Sequence, residues 1–177
     1  MSRPTLDARL RAAIRDVPDF PKPGIVFKDI TPVLADATLF RETTEAIARP
    51  YQERGVTHVI AIESRGFILG APVAQHLGAG LVLARKRGKL PRETLREEYA
   101  LEYGTDVLEI HADALPAHGR AVIIDDVLAT GGTASAAAAL VRAAGAALCG
   151  FSFLMALGFL AGRARLGAAT IEALVEY

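Results

Sequence analysis

The sequence predicts an α/β protein built on an open, mostly parallel twisted sheet flanked by helices. Three observations carry that expectation. Short apolar runs rich in β-branched residues recur at 58–62, 80–84, 121–124 and 150–157, the pattern of strands buried on both faces. Segments with helical periodicity lie between them. Charged or glycine-rich stretches follow several of the runs directly, and open parallel sheets bind ligands in the crevice outside the carboxyl ends of their strands.

Taken in order, Leu6, Leu10, Ile14 and Val17 recur at helical spacing, which predicts a helix over 5–17 with one apolar face. Three prolines between positions 18 and 23 end it. Residues 24–32 then read as an extended piece on the surface or across a cleft, and residues 36–53 as a helix starting near Asp36 or Thr38. The strand at 58–62 leads through Glu63, Ser64, Arg65 and Gly66 into a helix over 67–77. The strand at 80–84 runs into Arg85, Lys86, Arg87, Gly88 and Lys89. Residues 90–104 alternate charge and aromatic character without a core pattern. They predict a long excursion, partly β-hairpin, with little of its surface buried, as lids often are. A short strand at 107–110, a connection over 113–120, the strand at 121–124, an alanine-rich helix over 134–144 and a last strand near 170–175 complete the chain. No linker, repeat or low-complexity tract divides it, so residues 1–177 read as one domain.

Twenty basic and twenty acidic residues cancel, so net charge argues for neither nucleic acid nor an anionic membrane. Residues 143–162 carry no charge and are long enough to span a bilayer. Gly145, Gly150 and Ser152 interrupt them, and a helix end, a turn and a buried strand account for them better. A single cysteine, Cys149, forms no intrachain disulfide, which fits a reducing cytoplasm. His58, His76, His111 and His118 lack the spacing of metal ligands.

The chemistry concentrates in residues 121–135, AVIIDDVLATGGTAS. A buried strand ends at Asp125 and Asp126, a turn over Ala129, Thr130, Gly131, Gly132 and Thr133 follows, and a helix begins. That order aims backbone N–H groups and a positive dipole end at one spot, which suits a phosphate. The two carboxylates do not favour a phosphate by charge; they suit sugar hydroxyls, or the water around a divalent cation. No Gly-Lys-Ser/Thr loop is present, and Gly78 and Gly80 are not followed by a third glycine in dinucleotide-binding spacing. Glu63, Ser64 and Arg65 are a second candidate ligand loop, with a helix start capped by Ser64 as the alternative. The cations of 85–89 read either as a solvated turn or as a third such loop, placed where a polyanion such as diphosphate could be held.

Residues 121–135 resemble the phosphoribosyl-diphosphate (PRPP) motif of the type I phosphoribosyltransferases. The resemblance extends over residues 5–177 and is closest to the members of that family that act on adenine. PDFPKPGIVFKDITPVL at 18–34 resembles their base-binding segment, ESRGF at 63–67 their diphosphate loop, RKRGKLP at 85–91 their second anion site and YALEYG at 99–104 their flexible catalytic loop. The resemblance implies the type I phosphoribosyltransferase fold, with a small N-terminal base-binding segment (1–34) and a flexible lid (90–104). It implies transfer of the phosphoribosyl group of PRPP to adenine, giving AMP and diphosphate, in a cytoplasmic homodimer. Mg²⁺ is then the cofactor, held mainly by PRPP, diphosphate and water with no direct protein ligand.

By the same resemblance Asp125, Asp126 and residues 129–133 bind the phosphoribosyl part of PRPP. Glu63, Ser64, Arg65, Arg85, Lys86 and Lys89 bind diphosphate, with Arg85 reaching the neighbouring subunit's site and the Glu63–Ser64 peptide cis. Val26, Phe27, Lys28 and Leu128 bind adenine, Phe27 through its ring and Val26 and Lys28 through their backbone. Glu102 is the catalytic acid/base, with Glu97 and Glu98 as the alternative carboxylates. The sequence departs from the family at Lys28, where arginine is frequent, and at Ala156, where many members have glutamate. Two other readings stand beside this one: transfer to a 6-oxopurine or pyrimidine, and a non-catalytic PRPP-binding regulator. The second would need a DNA-binding extension, and the sequence shows no recognition helix or basic stripe.

Overall fold

The computed structural model describes residues 4–100 and 104–177. Helix α1 (Leu6–Ala13) starts at Thr5, whose hydroxyl accepts from the Ala8 amide. It ends four residues short of the expected 17. Ile14 is already extended, and strand β1 (Arg15–Pro18) pairs antiparallel with β2 (Val26–Asp29) in a separate two-stranded ribbon. The spacing at Val17 misleads because Pro18 pushes the residue before it into extended backbone, and Val17 is exposed. Residues 24–32 are extended only as far as β2. Helix α2 (Thr31–Ala35) follows, with Pro32 in its first turn, where a missing N–H costs nothing. Helix α3 (Ala37–Ala48) is capped by Asp36, which accepts from the Thr38 and Leu39 amides.

The main sheet is then laid down by β3 (His58–Ile62), α4 (Arg65–Leu77), β4 (Gly80–Lys86), β5 (Thr94–Ala100), β6 (Thr105–His111), β7 (Arg120–Leu128), α5 (Gly132–Ala143), β8 (Ala147–Ala156), α6 (Gly162–Leu166) and β9 (Ile171–Glu176). Its order is β5-β6-β4-β3-β7-β8-β9. The five strands from β4 to β9 are mutually parallel, and β6 runs antiparallel to both β4 and β5. Two expectations are corrected. The strand expected to end at 124 continues to Leu128, so Asp125 and Asp126 lie within β7 and pair onward with β8. Within the excursion at 90–104 the expected hairpin is present as β5 paired with β6, but Tyr99, expected on a largely exposed segment, is buried, because β5 turns alternate residues onto the layer beneath α5.

Alternation along the central strands divides the core into two layers. Ala121 and Ile123 pack with Ile60, Ile62, Phe151 and the alanine face of α5. Val122 and Ile124 face the other way, toward Leu69 and Val73 of α4 and Ile47 of α3. The uncharged stretch at 143–162 resolves into the end of α5, a turn, β8 and a short 3₁₀ turn. Among the described residues no helix is long and apolar enough to cross a membrane.

One polar contact inside this core has a measurable weight. The Tyr51 hydroxyl donates to the Phe151 carbonyl at 2.7 Å, and both residues are buried. Burial also pushes the phenol's pKa up, so it stays a neutral donor. Tyr51→Phe removes that bond, and urea denaturation is expected to show a loss of about 0.5–1.5 kcal/mol with an unchanged slope. An unchanged midpoint would mean that the bond contributes nothing.

Candidate active site

Strand β3 connects to β4 on one side and β7 to β8 on the other, while α4 and α5 cover opposite faces. The crevice between the carboxyl ends of β3 and β7 is therefore the point where the winding reverses, the usual ligand position in such sheets. A cavity of about 530 Å³ opens there. Its wall is made by the end of β3 with the turn after it, the end of β7, the loop into α5, and parts of β4, β5 and β6.

Two close approaches shape it. A Cβ at Gly66 would lie 2.9 Å from the Asp125 carboxylate and from the Ile124 carbonyl, so glycine lets the first turn of α4 sit against β7. Gly131 has φ +78°, and a Cβ there would lie 2.6 Å from the Gly162 carbonyl. The loop before α5 is thus pressed onto the start of α6. Helix capping follows the same division of labour. Thr5 and Asp36 cap α1 and α3, whereas Ser64 and Gly131, at the starts of α4 and α5, make no side-chain cap hydrogen bond. No side chain takes up the first-turn amides of these two helices at the cavity, and their dipoles favour an anion. The Glu63–Ser64 peptide is cis, as expected.

Charge is arranged in opposed pairs. Arg65 donates through Nε to Asp126, which is buried, and its guanidinium lies 5.1 Å from the centre of the Phe27 ring. Asp125 accepts from the Asp126 amide, but burial and then the neighbouring Asp126 charge push its pKa well above the ordinary carboxylate value. Glu63 is held below the usual value, chiefly by Arg85, and also accepts from the Lys86 amide. Lys86 pairs with Asp106 at 3.2 Å, which raises the ammonium pKa. Burial opposes ionisation of Asp106, yet the Val107 amide and Lys86 outweigh it and keep its pKa low.

Of the residues expected at the site, Glu63, Ser64, Arg65, Lys86, Asp125, Asp126, Leu128 and all of 129–133 line the cavity. Arg85 and Lys89 do not. Arg85 reaches Glu63 and the Lys89 carbonyl, and Lys89 is exposed. Val26, Phe27 and Lys28 lie on the ribbon outside the cavity wall, connected to it through Phe27 and Arg65. Glu102 falls outside the described residues. Sequence reasoning missed Asp106 as a wall residue and placed Tyr99 on the flexible loop. Register pairs these two across the β5–β6 hairpin, and the Tyr99 hydroxyl donates to Asp106. Apolar residues on one face of each strand, Leu95 with Tyr99 and Leu108 with Ile110, were the signal that could have put them together.

Comparison with known proteins agrees with this geometry. The family model for the phosphoribosyl transferase domain matches residues 32–163. An adenine phosphoribosyltransferase from Anaeromyxobacter is 57% identical over 168 residues, covering 95% of each chain. The crystal structure of the adenine phosphoribosyltransferase from Rhodothermus marinus superposes with a TM-score of 0.94 at 52% identity, over 97% of this chain and 98% of that one. The enzyme of the same name from Saccharomyces cerevisiae, solved with an imino-altritol bisphosphate and adenine, gives 0.90 at 38% identity over 96% and 98%. With a family match across most of its length, and with the switch-point cavity that its fold provides, the chain belongs to the phosphoribosyltransferase family.

Proposed function

We propose that this protein transfers the 5-phosphoribosyl group of PRPP to adenine, releasing AMP and diphosphate in purine salvage. The observation that carries this reading is the cavity itself. Two uncapped helix starts and an adjacent acid pair converge on it, in a chain whose relatives bear that activity in their names. In this reading residues 129–133 hold the 5′-phosphate through amides and hydroxyls. Asp125 and Asp126 accept from the ribose hydroxyls. Glu63, Ser64 and Arg65 hold diphosphate with Lys86, while Arg85 and Lys89 serve from outside the wall, Arg85 toward a partner subunit.

Loss of diphosphate from C1 builds positive charge on the ribose and negative charge on the leaving group. Arg65 and Lys86 stabilise the second of these, and the Asp125–Asp126 edge faces the first. The wall carboxylates Asp106, Asp125 and Asp126 suit the water around a hard cation rather than the cation itself, since Lys86 and Arg65 already pair with two of them. Mg²⁺, held mainly by PRPP, diphosphate and water, would supply charge neutralisation at the departing group. Phe27 and Leu128 offer apolar faces to the purine, and the backbone of Val26 and Lys28 reads its edge, which would discriminate adenine from an oxo-purine. Glu102, on the lid at 90–104, shares the imidazole proton of the base as N9 attacks.

A homodimer fits the exposed apolar side chains of Ile68, Leu81 and Leu83. A cytoplasmic setting fits the unpaired Cys149. Assaying adenine, hypoxanthine, guanine, xanthine, uracil and orotate side by side with PRPP tests the substrate. Adenine should be turned over and the others rejected; turnover of another base in preference would reassign it.

Two variants test the roles. The pKa of Asp125 is raised in the folded state, so its stabilising contribution is full below the unfolded value and is lost as pH rises through the folded one. At neutral pH its ionised form therefore works against the fold. Asp125→Asn is expected to raise the melting temperature at pH 7–8, by an amount that shrinks on acidification, while weakening PRPP binding. A lower melting temperature at neutral pH would contradict the assignment. Glu102→Ala should lower kcat by roughly 10²–10⁴-fold with PRPP affinity nearly unchanged. Near-normal turnover in that variant, with loss in Glu97→Ala or Glu98→Ala, would move the role to the other carboxylate.

A further inference from the structure

The β1–β2 ribbon is a two-stranded element, and such a pair needs outside support to hold one position. Its two ends are fixed, since Ile14 and Ile30 are buried in the core. Between them, Phe20 and Val26 are exposed, and Phe20 packs edge-on against Phe27. Two contacts among the described residues help tie the body of the ribbon to the rest of the protein. One is Phe27 beneath the Arg65 guanidinium. The other is Lys28, whose ammonium lies 3.8 Å from the centre of the Tyr177 ring and pairs with Asp16 across the ribbon at 2.6 Å.

Tyr177 is itself held from two directions. Its amide donates to the Ala156 carbonyl at 2.9 Å, and its carbonyl accepts from Gly158 at 2.8 Å, so its backbone is pinned to the end of β8. The Arg11 guanidinium lies 5.2 Å from the same ring and donates to the Glu176 carbonyl. The ring thus sits between two cations, one from α1 and one from β2. Lys28 is only 16% exposed in this arrangement, so the pair is partly desolvated, the condition in which a cation–π contact weighs most.

We propose that Tyr177 is a positioning residue for the base. It fixes the Lys28 side chain, and through it the β2 backbone at Val26 and Lys28, at the correct distance from the cavity wall. The inference rests on the reading that β2 receives adenine. It also gives the Lys28 side chain a task apart from the base: the ammonium is taken up by Asp16 and Tyr177, and the backbone is left to recognise the purine.

The test is a kinetic split in the full protein. Tyr177→Leu removes the ring and keeps an apolar side chain; Tyr177→Phe keeps the ring. Lys28→Met removes the cation without touching the backbone, and serves if the Tyr177 variant does not fold. The expected result is a KM for adenine raised roughly three- to tenfold in Tyr177→Leu and in Lys28→Met. Their double variant should be no worse than either alone. The kcat and the KM for PRPP should stay within about twofold, and Tyr177→Phe should restore the parental value. An unchanged adenine KM in Tyr177→Leu, an equal loss in Tyr177→Phe, or a parallel rise in the KM for PRPP overturns the proposal. Parental protein that turns over PRPP with another base but not with adenine overturns the functional reading, and this inference with it.

Discussion

The contact between Arg65 and Asp126 is where the separate pieces of the site are fixed to one another. Asp126 is 4% exposed, within a strand paired on both sides, where an unpaired carboxylate would be strongly unfavourable. Arg65 comes from the first turn of α4 and meets it there because Gly66 carries no side chain to hold helix and strand apart. The same guanidinium covers Phe27 on the ribbon. One cation therefore relates the turn after β3, the acid pair on β7 and the β1–β2 ribbon, three segments far apart in the sequence. Breaking such a pair from one side leaves a buried charge uncompensated, so each piece depends on the other.

Around that contact the protein keeps features that a fold optimised for stability alone would remove. Asp125 stands beside Asp126, and burial and like charge raise its pKa. Among the helices of eight residues or more, the two that start at the cavity carry no side-chain cap, although capping residues serve α1 and α3. Lys86 and Asp106 face the same cavity that Arg65 enters. Each feature is explained by a ligand that brings anionic groups and hydroxyls to the place where the protein withholds them. Local rules broken together at one crevice mark a working site, since stability is conceded there for function.

Much of this was legible in the residues. The β-branched runs located β3 to the residue and placed the central strands, because strands buried on both faces leave a continuous apolar signal. The loop over 129–133 was legible because glycines and hydroxyls in that order have few other uses. What escaped came from tertiary context. Val17 kept helical spacing, but Pro18 and pairing with Phe27 made it a strand residue. Asp125 and Asp126 looked like a strand end because charge stops an apolar run, whereas β8 continues the ladder past them. Asp106 escaped because its place on the wall depends on hairpin register and on Lys86, neither of which has a local signature. The tie between Lys28 and Tyr177 joins residues from opposite ends of the sequence, beyond any periodicity.

The central claim is that the crevice between β3 and β7 receives PRPP through the uncapped starts of α4 and α5. Amide hydrogen exchange with and without saturating PRPP and Mg²⁺ reads those amides directly. The account predicts new protection concentrated at residues 64–67 and 129–135, with the backbone of β8 and β9 unchanged. Protection confined to other surfaces, or none at either helix start while PRPP is bound, would contradict it.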